Sequence, residues 1–205
     1  MATTETKEKQ EASGPIPTSK DEVQKKVALL LRFLAFGATL SATLVMVLNK
    51  QTSPVTVVYN APVLRFVTAK FYQTHAFVFF VVANAIACLY SLVMLLVCLA
   101  DLIRLLGNNS YVSKVHGLLV IVLDLVMVAL VTAGASAATS VAELGKNGNK
   151  HANWSKICDK FETYCDHGAG ALIASFIGAL IFIFLTLFSI TDLYKEAKKV
   201  PKSQV

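Results

Sequence analysis

The sequence carries no Gly-rich phosphate loop, no GxSxG elbow and no HExxH helix. The phosphate-cradling, serine-nucleophile and zinc-protease chemistries that require those spacings therefore have no foothold. It also lacks a CxxC pair, an internal repeat and a pair of Gly/Pro-broken apolar segments of the kind that build transporter sites. Charge is scarce, with only 16% of the 205 residues being Asp, Glu, Lys or Arg, too few for an ordinary soluble surface. A formal charge of +6 could suggest a nucleic-acid partner. No basic patch interleaved with aromatics accompanies it, however, and the lysines gather beside apolar runs, so membrane topology explains the excess better. No nucleic acid, cofactor or resident metal is expected.

Apolar residues are what the chain has in abundance: 55% are hydrophobic and the mean hydropathy is +0.60. They are bunched into four runs, about 27–48, 76–100, 117–141 and 168–190. Each reaches the ~20 residues that cross a ~30 Å hydrocarbon core. The expected fold is an all-α integral membrane protein, a left-handed antiparallel four-helix transmembrane bundle. Residues 1–26 read as a largely disordered tail, polar and mixed in charge with a Gly14-Pro15-Ile16-Pro17 stretch, and not as a cleavable signal. Residues 191–205 read as a basic tail. Ser19-Lys20-Asp21-Glu22 fits a capping box, which starts helix one before the membrane. Between the first two runs, Pro54, the β-prone Val55-Thr56-Val57-Val58-Tyr59 and Pro62 indicate an ordered or short-strand segment.

Lys and Arg beside the span ends slightly favour both tails on the cytoplasmic side. The loop between spans three and four adds independent support, because it holds Cys158, Cys165 and the sequon Asn153-Trp154-Ser155, features of an oxidising, glycosylating compartment. The competing sequon Asn108-Asn109-Ser110 lies in a short loop almost against the membrane. A Cys158–Cys165 disulfide is the favoured state over free thiols. His151 and His167 flank the pair, so two cysteines and two histidines on zinc is the alternative, without CxxC spacing to support it. In span two, Cys88 reads as a small apolar packer and Cys98 as a candidate for palmitoylation.

Small residues recur at helical spacing: Gly170, Ala174 and Gly178, with Ala171, Ser175 and Ala179, in span four; Ala133, Gly134, Ala137 and Ala138 in span three; Gly37 with Ser41 and Ala38 with Ala42 in span one. Helix association in lipid depends on close backbone approach, so these positions are expected packing sites, with spans three and four in contact. The bulky stretch Ile181 to Phe188 reads as lipid-facing.

Two charges interrupt the spans. Arg32 and Asp124 each lie ~8–11 Å deep from the same side at 1.5 Å per residue. An ionised group in hydrocarbon costs at least ~2.5–3.5 kcal/mol, so such groups face the bundle interior and pair. Arg32 alone could snorkel to the headgroups. Asp124 is too short for that and needs a partner, a wet cavity or a proton, which favours an ion pair between helices one and three. Asn84 is a candidate for a hydrogen bond across helices.

The arginine in span one, the aspartate in span three, Ala69-Lys70-Phe71 leading into Phe79-Phe80-Val81-Val82-Ala83-Asn84-Ala85-Ile86-Ala87 and Tyr90-Ser91, and the cysteine pair together form a pattern. Over about Lys25 to Leu193 it resembles the Casparian strip membrane protein-like family of plants, four-span plasma-membrane proteins related to the MARVEL fold. The resemblance implies intracellular termini, association with itself and with related family members, and for some members a scaffold that organises cell-wall modification or diffusion barriers. The first outer loop has Val58-Tyr59-Asn60-Ala61-Pro62 where the strip-building proteins have an acidic and aromatic nonapeptide, so an endodermal role is not implied. The expected function is a non-enzymatic plasma-membrane scaffold that oligomerises among membrane lipids and organises a membrane domain or cell-wall-modifying partners. The rivals are a small transporter or channel, with Arg32, Asn84 and Asp124 lining a polar path, and an accessory subunit of another membrane protein.

Overall fold

A backbone inside hydrocarbon finds no water, so long apolar segments close their hydrogen bonds within themselves and become helices. The computed structural model describes residues 19–58, 62–105 and 114–199. It has four helices, α1 (Ser19–Leu48), α2 (His75–Leu105), α3 (Lys114–Asn147) and α4 (Glu162–Lys199), each long and apolar enough to span a membrane. They form an antiparallel bundle in which consecutive helices pack together and α4 closes on α1. The pairs α1/α3 and α2/α4 are therefore the diagonals. The tail 1–18, the turn at 59–61, the connection carrying Asn108-Asn109-Ser110 and residues 200–205 lie outside the described residues.

The helices run past the membrane boundaries set by composition. Residues 191–199, within the stretch read from sequence as a basic tail, continue α4. That extension has a use, since the Gln24 side chain on α1 donates to Asp192 of α4 and accepts from Lys195 Nζ at 3.1 Å. At the opposite end, a hairpin of β1 (Lys50–Val58) and β2 (Pro62–Lys70) joins α1 to α2 in an antiparallel register running from Lys50 opposite Lys70 to Val58 opposite Pro62. Pro54 sits inside β1 opposite Phe66, which a two-stranded sheet tolerates because each strand has a free edge. Gln51, Ser53 and Val55 turn toward the protein, while Thr52, Pro54 and Thr56 face away.

Two apolar layers fill the bundle, and each draws on all four helices. Ala42, Met46, Phe80, Ala135, Ala138, Ala171 and Leu172 form the layer nearer the hairpin. Ala35, Ala87, Met127, Val131, Ala179, Phe182 and Leu185 form the one nearer the tails. The abundance of alanine lets backbones approach closely, which is how helices gain dispersion energy where lipid removes the hydrophobic drive between them. Phe182 and Leu185 are core residues, at 0% and 2% exposure. The stretch Ile181 to Phe188 is therefore not wholly lipid-facing: its i, i+3 positions point inward, while Ile183, Phe184 and Leu187 point out.

The small residues divide in the same way. A Cβ at Gly134 would stand 3.0 Å from Ala83 Cβ and 3.4 Å from Phe80 Cα, so Gly134 seats α3 against α2. A Cβ at Gly178 would stand 3.3 Å from Thr39 Cγ2, placing that glycine against α1. Ala138 is buried beside Ala171, and Ala174 packs at the edge of the same layer. Gly37, Ser41 and Gly170 make no contact between helices of this chain, because they lie on exposed helix faces and a Cβ at either glycine would meet nothing within 4 Å. Periodicity marks a stripe but not the direction it faces.

Overpacking a close contact forces helices apart, whereas filling open space on a helix only removes glycine's excess backbone freedom. Gly134→Ala is expected to destabilise by about 1–2 kcal/mol and Gly170→Ala to stabilise by about 0.5–1 kcal/mol. Thermal unfolding in detergent reads both, and equal shifts of one sign would contradict this packing.

Candidate functional site

Arg32 and Asp124 meet across the α1/α3 diagonal. The guanidinium donates through both terminal nitrogens, Nη1 to Asp124 Oδ1 at 2.5 Å and Nη2 to Oδ2 at 2.7 Å. This is the bidentate fork that suits a planar carboxylate. Arg32 is 4% exposed and Asp124 0%, so the arginine does not snorkel. Tyr90 of α2 adds a third arm, its hydroxyl donating to Asp124 Oδ1 at 2.7 Å while Arg32 Cζ lies 5.6 Å from the ring centroid. The same ring packs with Phe182 of α4, centroids 6.3 Å apart. One charge pair thus engages all four helices. Sequence reading placed Tyr90 in the span-two stretch that carries the family resemblance and gave it no partner; the missed signal is a phenol hydroxyl that reaches the level of the charges.

The second diagonal carries a neutral bridge. Ser175 Oγ of α4 donates to Asn84 Oδ1 of α2 at 2.9 Å, and Asn84 Nδ2 donates to the Phe80 carbonyl at 2.9 Å, one turn back on its own helix. Both residues are fully buried. Thr39, also fully buried, donates to the Ala35 carbonyl at 2.9 Å, one turn back on α1. Ser91 Oγ is the one buried side-chain polar atom among the described residues without a hydrogen-bond partner.

At the hairpin end, Cys158 and Cys165 are joined as a disulfide with Cα atoms 5.8 Å apart. Closing so short a loop stabilises by on the order of 2 kcal/mol in the chain-entropy account. With both sulfurs in a disulfide, a zinc site of these cysteines with His151 and His167 would have no thiolates to offer. The bridge ties the loop to the first turn of α4, and the loop is held to the end of α3 by Gly145, which accepts from the Ile157 and Cys158 amides at 2.8 and 3.1 Å. Gly148 follows that helix at φ +68°, and a Cβ there would stand 2.7 Å from the Trp154 carbonyl, so the left-handed turn demands glycine. Asn153, at φ 55°, sits exposed at the next turn. The start of the hairpin is latched to the first turn of α4: Asn49 Nδ2 donates to the Tyr164 carbonyl at 2.7 Å, and the Tyr164 amide donates to Gln51 Oε1 at 2.8 Å.

Removing one member of a buried pair leaves the other charge unpaired at ~3–5 kcal/mol, whereas removing both approaches neutrality. Arg32→Leu and Asp124→Leu are each expected to be worse than the double variant in thermal unfolding and membrane delivery. Tyr90→Phe should cost ~0.6–2 kcal/mol, and that cost should vanish on an Asp124→Leu background. Additive losses throughout would uncouple the three residues.

The family model of the Casparian strip membrane protein domain matches residues 21–181, most of the chain and all of Arg32, Tyr90, Asp124, Asn84 and Ser175. The chain is 49% identical over 177 residues to CASP-like protein 1B1 of Populus trichocarpa, an alignment covering 85% of this chain and 88% of that one. It is 48% identical over 175 residues to CASP-like protein 1B1 of Arabidopsis thaliana, covering 84% and 86% of the two chains. With CASP-like protein 1B2 of Vitis vinifera the identity is 46% over 178 residues, covering 86% and 84%. No solved structure matches the chain. A four-helix membrane bundle, a family model spanning it and relatives alike over nearly their whole length lead to one assignment: the chain belongs to the Casparian strip membrane protein domain family.

Proposed function

We propose that this protein is a non-enzymatic scaffold of the plasma membrane, with both tails cytoplasmic, that associates with copies of itself and related family members and organises a membrane domain or cell-wall-modifying partners. The observation that carries this reading is the closure of the intramembrane charges on each other. Arg32, Asp124 and Tyr90 satisfy one another in a buried cluster that draws in four helices, which suits a rigid platform more than a relay. A proton or ion relay uses ionisable groups that are open in turn to each side. Outside the bundle, Gly37 and Gly170 leave room for another helix to approach closely, which supports self-association.

The orientation rests on the hairpin end, where the disulfide and the sequon at Asn153 share one side with the hairpin. An impermeant thiol reagent on intact cells is expected to label Cys158 and Cys165 only after a reductant is added, and an endoglycosidase shift is expected to disappear in Asn153→Gln. Immediate labelling would argue against the bridge or the sidedness.

Ser91 favours a second reading, transport, because a buried hydroxyl without a partner is a place where water could enter. Differently tagged copies should co-purify and recover slowly after photobleaching in the plasma membrane. A freely diffusing monomer, with ion flux in reconstituted vesicles that vanishes in Asp124→Asn, would replace the scaffold with a transporter.

A further inference from the structure

The hairpin register sets Lys50 directly opposite Lys70 at the base of the two strands. Directly opposed side chains lie ~4.5–5.5 Å apart at Cβ, where like charges destabilise. Nothing acidic in the segment relieves them, since residues 49–75 hold Lys50, Arg65 and Lys70 but no Asp or Glu. Among the described residues neither lysine has an ion-pair partner. Lys70 instead holds its ammonium over the Tyr72 ring, 5.4 Å from the centroid, which fixes one cation in place without neutralising it.

The position of the pair decides what can neutralise it. The apolar span of α1 ends at Leu48 and that of α2 begins at His75, so both lysines stand where hydrocarbon gives way to headgroups. Exposed apolar side chains adjoin them in the chain, Leu48 at 72% and Tyr72 at 58% exposure. Two opposed lysines next in the chain to exposed aliphatic and aromatic side chains match a molecule with a phosphate above acyl chains. We infer that Lys50 and Lys70 form a binding site for the phosphate of a membrane phospholipid, with Leu48 and Tyr72 against its apolar portion. Each ammonium donates charge-assisted hydrogen bonds to phosphate oxygens. A phosphodiester carries one negative charge against two positive ones, so lipids whose headgroup adds no compensating cation are preferred over zwitterionic ones.

The test uses the full-length protein in detergent with equal mole fractions of phosphatidylglycerol and phosphatidylcholine, and native mass spectrometry to read the lipid retained. The wild type is expected to keep phosphatidylglycerol preferentially. The Lys50→Gln, Lys70→Gln pair is expected to lower that preference by roughly tenfold to thirtyfold, the weight of two near-surface cations. Lys50→Arg with Lys70→Arg should retain it, as should Lys150→Gln with Lys156→Gln, which removes the same charge from the other loop. An unchanged ratio in the first pair, or an equal loss in the loop control, overturns the site. Erasure of the preference by excess inorganic phosphate would make the ligand a free anion and overturn the lipid reading. Thermal unfolding separates binding from folding: in lipid-free detergent the Gln pair should unfold at or above the wild-type temperature, because the repulsion is gone. Added phosphatidylglycerol should raise the midpoint of the wild type and not that of the Lys50→Gln, Lys70→Gln pair.

Discussion

Two ionised side chains on diagonally opposed helices, Arg32 on α1 and Asp124 on α3, have to meet if either is to remain charged in hydrocarbon. Much of the bundle follows from that constraint. Diagonal helices lie farther apart than neighbours, so the bridge needs a long arm, which arginine supplies, and a small interior around it. Ala35 and Ala87 provide that room in the adjoining core layer. The bidentate fork also fixes orientation, because a planar guanidinium can meet both carboxylate oxygens in only one plane, and Tyr90 closes the remaining side. Swapping arginine for lysine would preserve the charge and lose the plane.

The interior is graded along its length, and the gradation sets the register of the helices. An apolar layer lies nearest the hairpin, followed by the Asn84–Ser175 bridge on one diagonal, a second apolar layer, and the charge network on the other diagonal. Apolar packing alone tolerates sliding or rotation, since leucine and alanine surfaces in lipid have many nearly equivalent fits. Two polar bridges at different depths on crossed diagonals do not, because displacement of a helix would strand a buried amide or a buried charge. The buried polar groups thus specify one arrangement, while the alanines make that arrangement close.

The sequence made the helices legible because their cause is local: a long apolar run in lipid has little choice but to be a helix. The charges were legible for a related reason, since the penalty on a lone Asp124 does not depend on knowing the fold. What stayed hidden is whatever depends on rotation about a helix axis. Gly134 and Gly170 sit in equally good small-residue stripes, yet one seats α2 against α3 and the other faces outward. Phe182 and Ile183 are adjacent and equally apolar, yet only Phe182 enters the core. Tyr90 and Ser175 were hidden because a hydroxyl has so many partners available that its residue type names none of them. The hairpin was half legible, since the valine-rich β1 announces a strand, while the proline opening β2 and the arginine within it mask the second.

Rigidity in the membrane matters most for what it delivers to the hairpin end. Leu64 and Phe66 are 62% and 74% exposed there, an arrangement a small free hairpin would not hold on its own in water. This hairpin is held from below, because Gln51 accepts from the Tyr164 amide, Ser53 is buried, and Asn49 ties the start of β1 to α4. The disulfide loop is held in turn on the end of α3 through Gly145 and Gly148. Both loops therefore inherit their positions from the bundle, and the bundle inherits its register from the buried bridges. A change at Arg32 or Asp124 can then reach the far surface without touching it, through the tilt of α1 and α3, the two helices that end beneath the hairpin and the disulfide loop.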